Sequence, residues 1–215
     1  MATTISAGNA TNGLAFSADN TGALEFKTGS GAGTTALTLS TSQIATFAGN
    51  VISPLGTLYP LVSGTAVAST SGTSIDFTSI PSWVKRITVM FNGFSTSGTS
   101  NIQVQIGAGS VTSTGYQSVC LNLSNGSSPS SSSATTGFIV SNNVVAADTY
   151  IGHCILTNVS GNIWVESGTM SRYSTATTQV GSGNVTLSGT LDRVRITTVN
   201  GTDTFDAGSI NILWE

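Results

Sequence analysis

The sequence predicts an all-β protein, on three observations. Only 7% of its residues are charged, against about 25% in an ordinary soluble domain, so solvated helix faces have little to form from. Thr, Ser, Val and Ile fill the space instead, and the β-branched residues suit a pleated, half-buried surface better than a helix. Apolar and polar residues also alternate at period two in run after run, with Gly, Asn and Ser between the runs. With 215 residues, a single β-rich domain plus an extra segment is the natural size.

Segment 1–50 has its own rhythm. "GLAF" (Gly13–Phe16) is followed by "ALEF" (Ala23–Phe26), and Asp19, Asn20 and Gly22 supply turn chemistry between them. Leu14 and Phe16 share one strand face, as do Leu24 and Phe26, and then Leu37 with Leu39; Ile44 and Phe47 follow. A short hairpin of this kind is marginal in water. Each buried apolar side chain yields roughly 1.5–3 kcal/mol, while ordering each residue costs about 1–2 kcal/mol in backbone entropy. One copy is therefore not expected to fold alone, whereas identical copies wrapped together would pool these Leu, Ile and Phe faces into an extended β shaft.

In "VISPLGTLYPLV", Pro54, Gly56 and Pro60 mark residues 51–62 as a linker or neck. From residue 63 to 215 the strands come quickly. "WVKRITVMFNG", "NIQVQIG", "YQSVCLNL", "GFIV", "YIGHCILTNV", "NIWVES", "NVTLSG", "DRVRITTV" and "SINILW" alternate in the manner of a β-sandwich or jelly roll. Ile210, Ile212 and Trp214 share a face, so the final run is expected to complete a sheet. The serine-rich stretch Ser124–Gly137 offers nothing to bury and is expected to be a mobile surface loop.

Nine acids and six bases are scattered along the chain, for a net charge of −3. Nucleic-acid binding calls for a basic face that releases counterions, and this sequence has none. No apolar run is long enough to span a bilayer as a helix, and "MATTISAGNA" lacks the basic start and apolar core of a secretory signal. The expectation is a soluble protein made in a cytoplasm. Sequons at Asn9, Asn122, Asn125, Asn158, Asn184 and Asn200 then read as chance, and Cys120 and Cys154 as free, buried small hydrophobes, with a cross-strand bridge as the alternative.

Two blocks carry a resemblance. "NTGALEFKTGSGAGTTALTLSTSQIATFAGNV" resembles the N-terminal shaft segment common in virion structural proteins of tailed bacteriophages. "TSIDFTSIPSWVKRITVMFNGFSTSGTSNIQVQIG" and "FDAGSINILWE" resemble the C-terminal domain often attached to it in fibre-type proteins. The resemblance implies a homotrimeric tail or head fibre, assembled in the bacterial host, that docks on other virion proteins by its N-terminal end and presents a distal head to the host surface. It carries no catalytic residues and no cofactor. A capsid fibre or decoration protein without a receptor role is the alternative, and a glycan-cleaving fibre enzyme a third.

Candidate chemistry is sparse. His153 is the single histidine, read as partly buried and bonded to backbone, and as a strand neighbour of Cys154 it points to the other face and shares no ion with it. No spaced Cys/His set supports a metal site. A glycosidase needs two acids about 5–10 Å apart; Asp76, Asp148, Glu166, Asp192, Asp203, Asp206 and Glu215 are available in the head. Asp203 and Asp206 are read as turn-forming, with a Ca²⁺ between them left open. Arg86, Arg193 and Arg195 with Asp192 read as a solvated face, with pairs across subunits as the alternative. Sugar binding needs only an exposed aromatic ring and a few polar groups. If Ile163 and Val165 face the core, then Trp164 and Glu166 face outward and, with Arg172 and Tyr173, form a candidate glycan or receptor contact.

Overall fold

The structure, a computed structural model, describes residues 24–28, 33–49, 51–53, 56–146 and 148–215. It is all-β, built from antiparallel sheets, with one 3₁₀ turn at Tyr173–Thr175. The chain divides into two compact units between Leu58 and Tyr59.

The first unit holds β1 (Leu24–Thr28), β2 (Thr34–Leu39) and β3 (Ala45–Phe47) in a three-stranded antiparallel sheet, followed by the short pair β4 (Ile52–Ser53) and β5 (Gly56–Thr57). Register sets Leu24 opposite Leu39, Phe26 opposite Leu37, and Leu37 opposite Phe47. The apolar residues of all three strands therefore lie on one face. That face is uncovered by any described residue of the unit: Phe26, Ile44 and Phe47 are exposed, and Leu24, Leu37 and Leu39 only half-buried. Leu14 and Phe16 lie outside the described residues.

The second unit contributes β6 (Val62–Ser63), β7 (Val67–Ala68), β8 (Ser74–Thr78), β9 (Arg86–Thr96), β10 (Ile102–Ala108), β11 (Ser110–Val111), β12 (Gln117–Ser124), β13 (Ser130–Ala134), β14 (Phe138–Ser141), β15 (Tyr150–Ser160), β16 (Ile163–Arg172), β17 (Thr177–Thr186), β18 (Arg193–Thr198) and β19 (Phe205–Trp214). A five-stranded sheet runs β11-β10-β18-β8, with β14 also on β10. A nine-stranded sheet runs β13-β12-β17-β16-β15-β9-β19-β6, with β7 also on β19. Ile75, Phe77, Ile102, Val104, Ile106, Val194 and Ile196 of the small sheet share one buried cluster with Ile87, Val89, Phe91, Leu156, Trp164, Ile210 and Ile212 of the large one. This arrangement is consistent with a β-sandwich.

The sheets are tied by β14. It pairs with β10 of the small sheet yet lies directly against β17 of the large one, where Gly181 and Gly183 leave room. A Cβ on Gly181 would stand 2.9 Å from the Ile139 carbonyl, and one on Gly183 would stand 2.6 Å from the Gln117 carbonyl and 2.9 Å from the Phe138 ring. Side chains of the large sheet satisfy the crossing backbone. Ser118 accepts from the Ile139 N–H at 2.9 Å, and Gln179 both accepts from the Asn142 N–H at 3.2 Å and donates to the Asn142 carbonyl at 2.9 Å. Buried backbone groups that have left a ladder need such partners.

Strand β19 lies inside the large sheet, between β9 and β6. Past its end, the Glu215 carbonyl accepts from the N–H groups of Lys85 and Arg86 at 2.8 and 2.9 Å. The serine-rich stretch is not a loop throughout, because Ser130–Ala134 pairs along β12 as an edge strand. A ladder needs only backbone groups, and small hydroxyl side chains suit an edge that buries nothing.

Two measurements test this architecture. Gly183→Ala is expected to destabilise the protein by about 1–3 kcal/mol, the usual cost of overpacking, read as a lowered midpoint in denaturant unfolding; an unchanged midpoint would show that β14 is not held close. Deleting Ile210–Glu215 is expected to leave insoluble protein, because β9 then loses its partner, and a soluble, cooperatively folding variant would contradict it.

Candidate functional site

Alternation along β15 and β16 sends Tyr150, Cys154, Leu156, Trp164, Glu166, Met170 and Arg172 inward. This reverses the expected facing of β16. Trp164 is 3% exposed and Glu166 2%, whereas Ile163 and Val165 are 40% and 37% exposed. Both faces of the strand carry apolar residues, so alternation alone did not decide between them. The cross-strand neighbours do: Glu166 lies opposite Gly183 on one side and Leu156 on the other, and the glycine leaves space for a long inward side chain. Arg172 is also buried, 3.3 Å from Asp148, donating from Nε to Thr175 Oγ1 at 2.7 Å and from Nη1 to the Asn143 carbonyl at 3.1 Å. It fastens the segment before β15 to the end of β16. Of the four candidate contacts only Tyr173, 82% exposed, stands on the surface.

Glu166 has no hydrogen-bond partner for either carboxyl oxygen among the described residues. Burial pushes its pKa from the usual 4.5 up to about 8, as expected for a carboxyl in an apolar setting without a cation. Its neighbours are the two cysteines. Burial, reinforced by the nearby Glu166 carboxyl, raises the Cys120 thiol to about 12 and the Cys154 thiol well above its usual range. Both are free. Register places Gly181 and Gly168 between them, three strand spacings or about 14 Å, beyond the reach of a disulfide.

His153 is exposed on the outward face of β15 rather than half-buried. Asp203 accepts from the Ser100 N–H at 3.0 Å and from Asn200 Nδ2 at 2.7 Å, pinning two loops together, while Asp206 accepts from Ser95. No group of three His, Cys, Asp or Glu side chains suited to a metal ion occurs among the described residues.

The two sheets present different outward faces. The large sheet turns out Val119, Leu121, Leu123, Val165, Val180, Ile151 and Ile155 among Ser, Thr and Asn, with Arg86 and Asp206 as the exposed charges among its described strand residues. A concavity of about 780 Å³ opens there, bordered by Val119, Val165, Ser182 and Asn184. Arg86 itself pairs with Glu215 at 3.0 Å.

The small sheet turns out hydrogen-bonding groups. Register aligns Gln105, Arg195 and Asp76 in one row and Gln103, Thr197 and Ser74 in the next. Arg195 holds Asp76 through Nε at 2.7 Å and Nη2 at 3.1 Å, and Arg193 holds the Asp192 carboxyl below its usual pKa at 2.8 Å. These arginines are paired within the chain, each with its own acid. Nothing in the linear sequence brought Gln103, Thr197 and Ser74 together; only the register does.

Compared with family models, with curated proteins and with solved structures, the chain gives no match. No helix among the described residues is long and apolar enough to cross a membrane.

The buried carboxyl has a measurable consequence. Below pH 4.5 Glu166 is protonated in folded and unfolded chains alike, whereas between 4.5 and about 8 only the unfolded chain ionises. The stability it permits at low pH is therefore lost as pH rises through that window. Glu166→Gln is expected to remove this loss: relative to wild type, the variant gains stability steadily up to about pH 8, by several kcal/mol. Parallel curves of unfolding free energy against pH would refute it.

Proposed function

We propose that this chain is a fibre protein of a tailed bacteriophage: a homotrimeric structural component of the virion. It attaches by its N-terminal shaft, whose described part begins at Leu24, and presents a jelly-roll-like head that recognises host-surface glycan. The reading rests on the resemblance of its N- and C-terminal blocks to fibre-type proteins, and one observation of the fold supports it most. The first unit gathers Leu24, Phe26, Leu37, Leu39 and Phe47 on a single sheet face that no described residue of that unit covers. A sheet with such a face gains stability only when something buries it, and three copies of the same face turned toward a common threefold axis would bury one another. The nearly uncharged outward face of the large sheet fits the same assembly, since few ions would have to be desolvated where copies meet. The role is structural and adhesive, with no chemical step assigned to it.

Light scattering on a sizing column is the test. A solution mass near three times 21.7 kDa is expected, and Phe26→Asp with Phe47→Asp is expected to lower it. A wild-type monomer would overturn the trimer and with it the shaft.

A further inference from the structure

We infer that the outward face of the small sheet is a binding groove for a neutral, polyhydroxylated ligand, a glycan; the inference rests on the adhesive reading above and supplies its site. A cavity of about 310 Å³ lies over the two polar rows, at the small end of ordinary ligand sites of roughly 300–1,000 Å³ and of a size for one or two sugar rings. Gln103, Gln105, Arg195 and Thr197 form its floor, and Thr136 and Asn200 stand among its walls.

The floor is fixed before any ligand arrives. Gln103 accepts from Thr136 Oγ1 at 2.9 Å and donates to the Thr198 carbonyl at 3.4 Å. Gln105 donates to the Thr136 carbonyl at 2.8 Å, and Thr197 to the Thr73 carbonyl at 2.8 Å. Both amides are buried, so their rotamers cost nothing further to order on binding. Planar amides, hydroxyls and a guanidinium, the groups that line this cavity, are ones that address adjacent sugar hydroxyls. Arg195 spends Nε and Nη2 on Asp76 and leaves Nη1 unused among the described residues.

Charge decides the ligand class. The guanidinium of Arg195 is balanced by Asp76, so the groove offers no net field to an anion, and a neutral sugar is favoured over a sialylated or phosphorylated one. No aromatic side chain lines the cavity, so each site binds weakly by hydrogen bonds alone, and useful attachment would come from several copies engaging one surface together.

The experiment is binding of the full-length protein to a printed array of neutral and acidic oligosaccharides, with free monosaccharides as competitors. Beside wild type stand Thr197→Val, Arg195→Gln and Ser113→Trp, the last filling the groove from its exposed rim, each checked for an unchanged unfolding midpoint. Wild type is expected to bind neutral members, with each variant about tenfold weaker or worse, the loss of one or two hydrogen bonds. Competition by free monosaccharide alone would mark the ligand as a small sugar, and its failure as a surface glycan. Neutral binding that survives all three variants overturns the groove and leaves the adhesive reading in place. Preference for acidic sugars, or no binding, overturns the groove as well. Adsorption of the labelled trimer to bacterial cells then decides the adhesive reading separately.

Discussion

The second unit depends on one close approach. Strand β14 belongs by hydrogen bonds to the small sheet and by packing to the large one, and it reaches both because Gly181 and Gly183 have no side chains. Where two β-carbons would have stood, a backbone passes, and Ser118 and Gln179 replace the ladder bonds it gave up. The Phe138 ring then sits edge-on to Tyr116 at 4.9 Å, and Tyr116 Oη takes the Ile106 N–H at 2.8 Å. One missing pair of methyl-sized groups thus sets the spacing of the sandwich at this end, and with it the position of β10, whose other face carries the polar rows.

Poverty of charge shapes everything outside that core. A sheet surface made of Ser, Thr, Asn and Val is neither strongly hydrated nor strongly apolar, so it is suited to lie against another surface like itself. The same composition, arranged on β8, β10 and β18 with glutamines and two arginines each paired to its own acid, makes a surface of hydrogen-bonding groups instead. The two outward faces differ less in composition than in which residues register brings side by side.

That difference explains how much could be read beforehand. The all-β class, the position of most strands and the inclusion of the final run in a sheet were legible, because period-two alternation and turn residues are local signals. Facing was not. Ile163 and Val165 against Trp164 and Glu166, or Ile151 and Ile155 against Cys154 and Leu156, give both sides of a strand apolar residues; the choice is made by glycines on neighbouring strands. A closer look at Gly168, Gly181 and Gly183 was the available clue, since glycine within a strand marks a place where something comes close. The polar rows were illegible for a plainer reason: Ser74, Gln103 and Thr197 meet only through pairings across two strands.

The position of β19 bears on how the molecule is made. Its neighbours β9 and β6 are separated from it by most of the second unit's length, so the large sheet stays open along β9 until β19 has been synthesised. β15, β16 and β17 pair with their neighbours in sequence, but β9 and β19 pair only across long separations, and such non-local pairings form slowly. For the whole interval the exposed edge of β9 is a template for any other unfinished chain nearby. Correct closure and mispairing therefore draw on the same open edge, and the rate at which β19 docks decides between them.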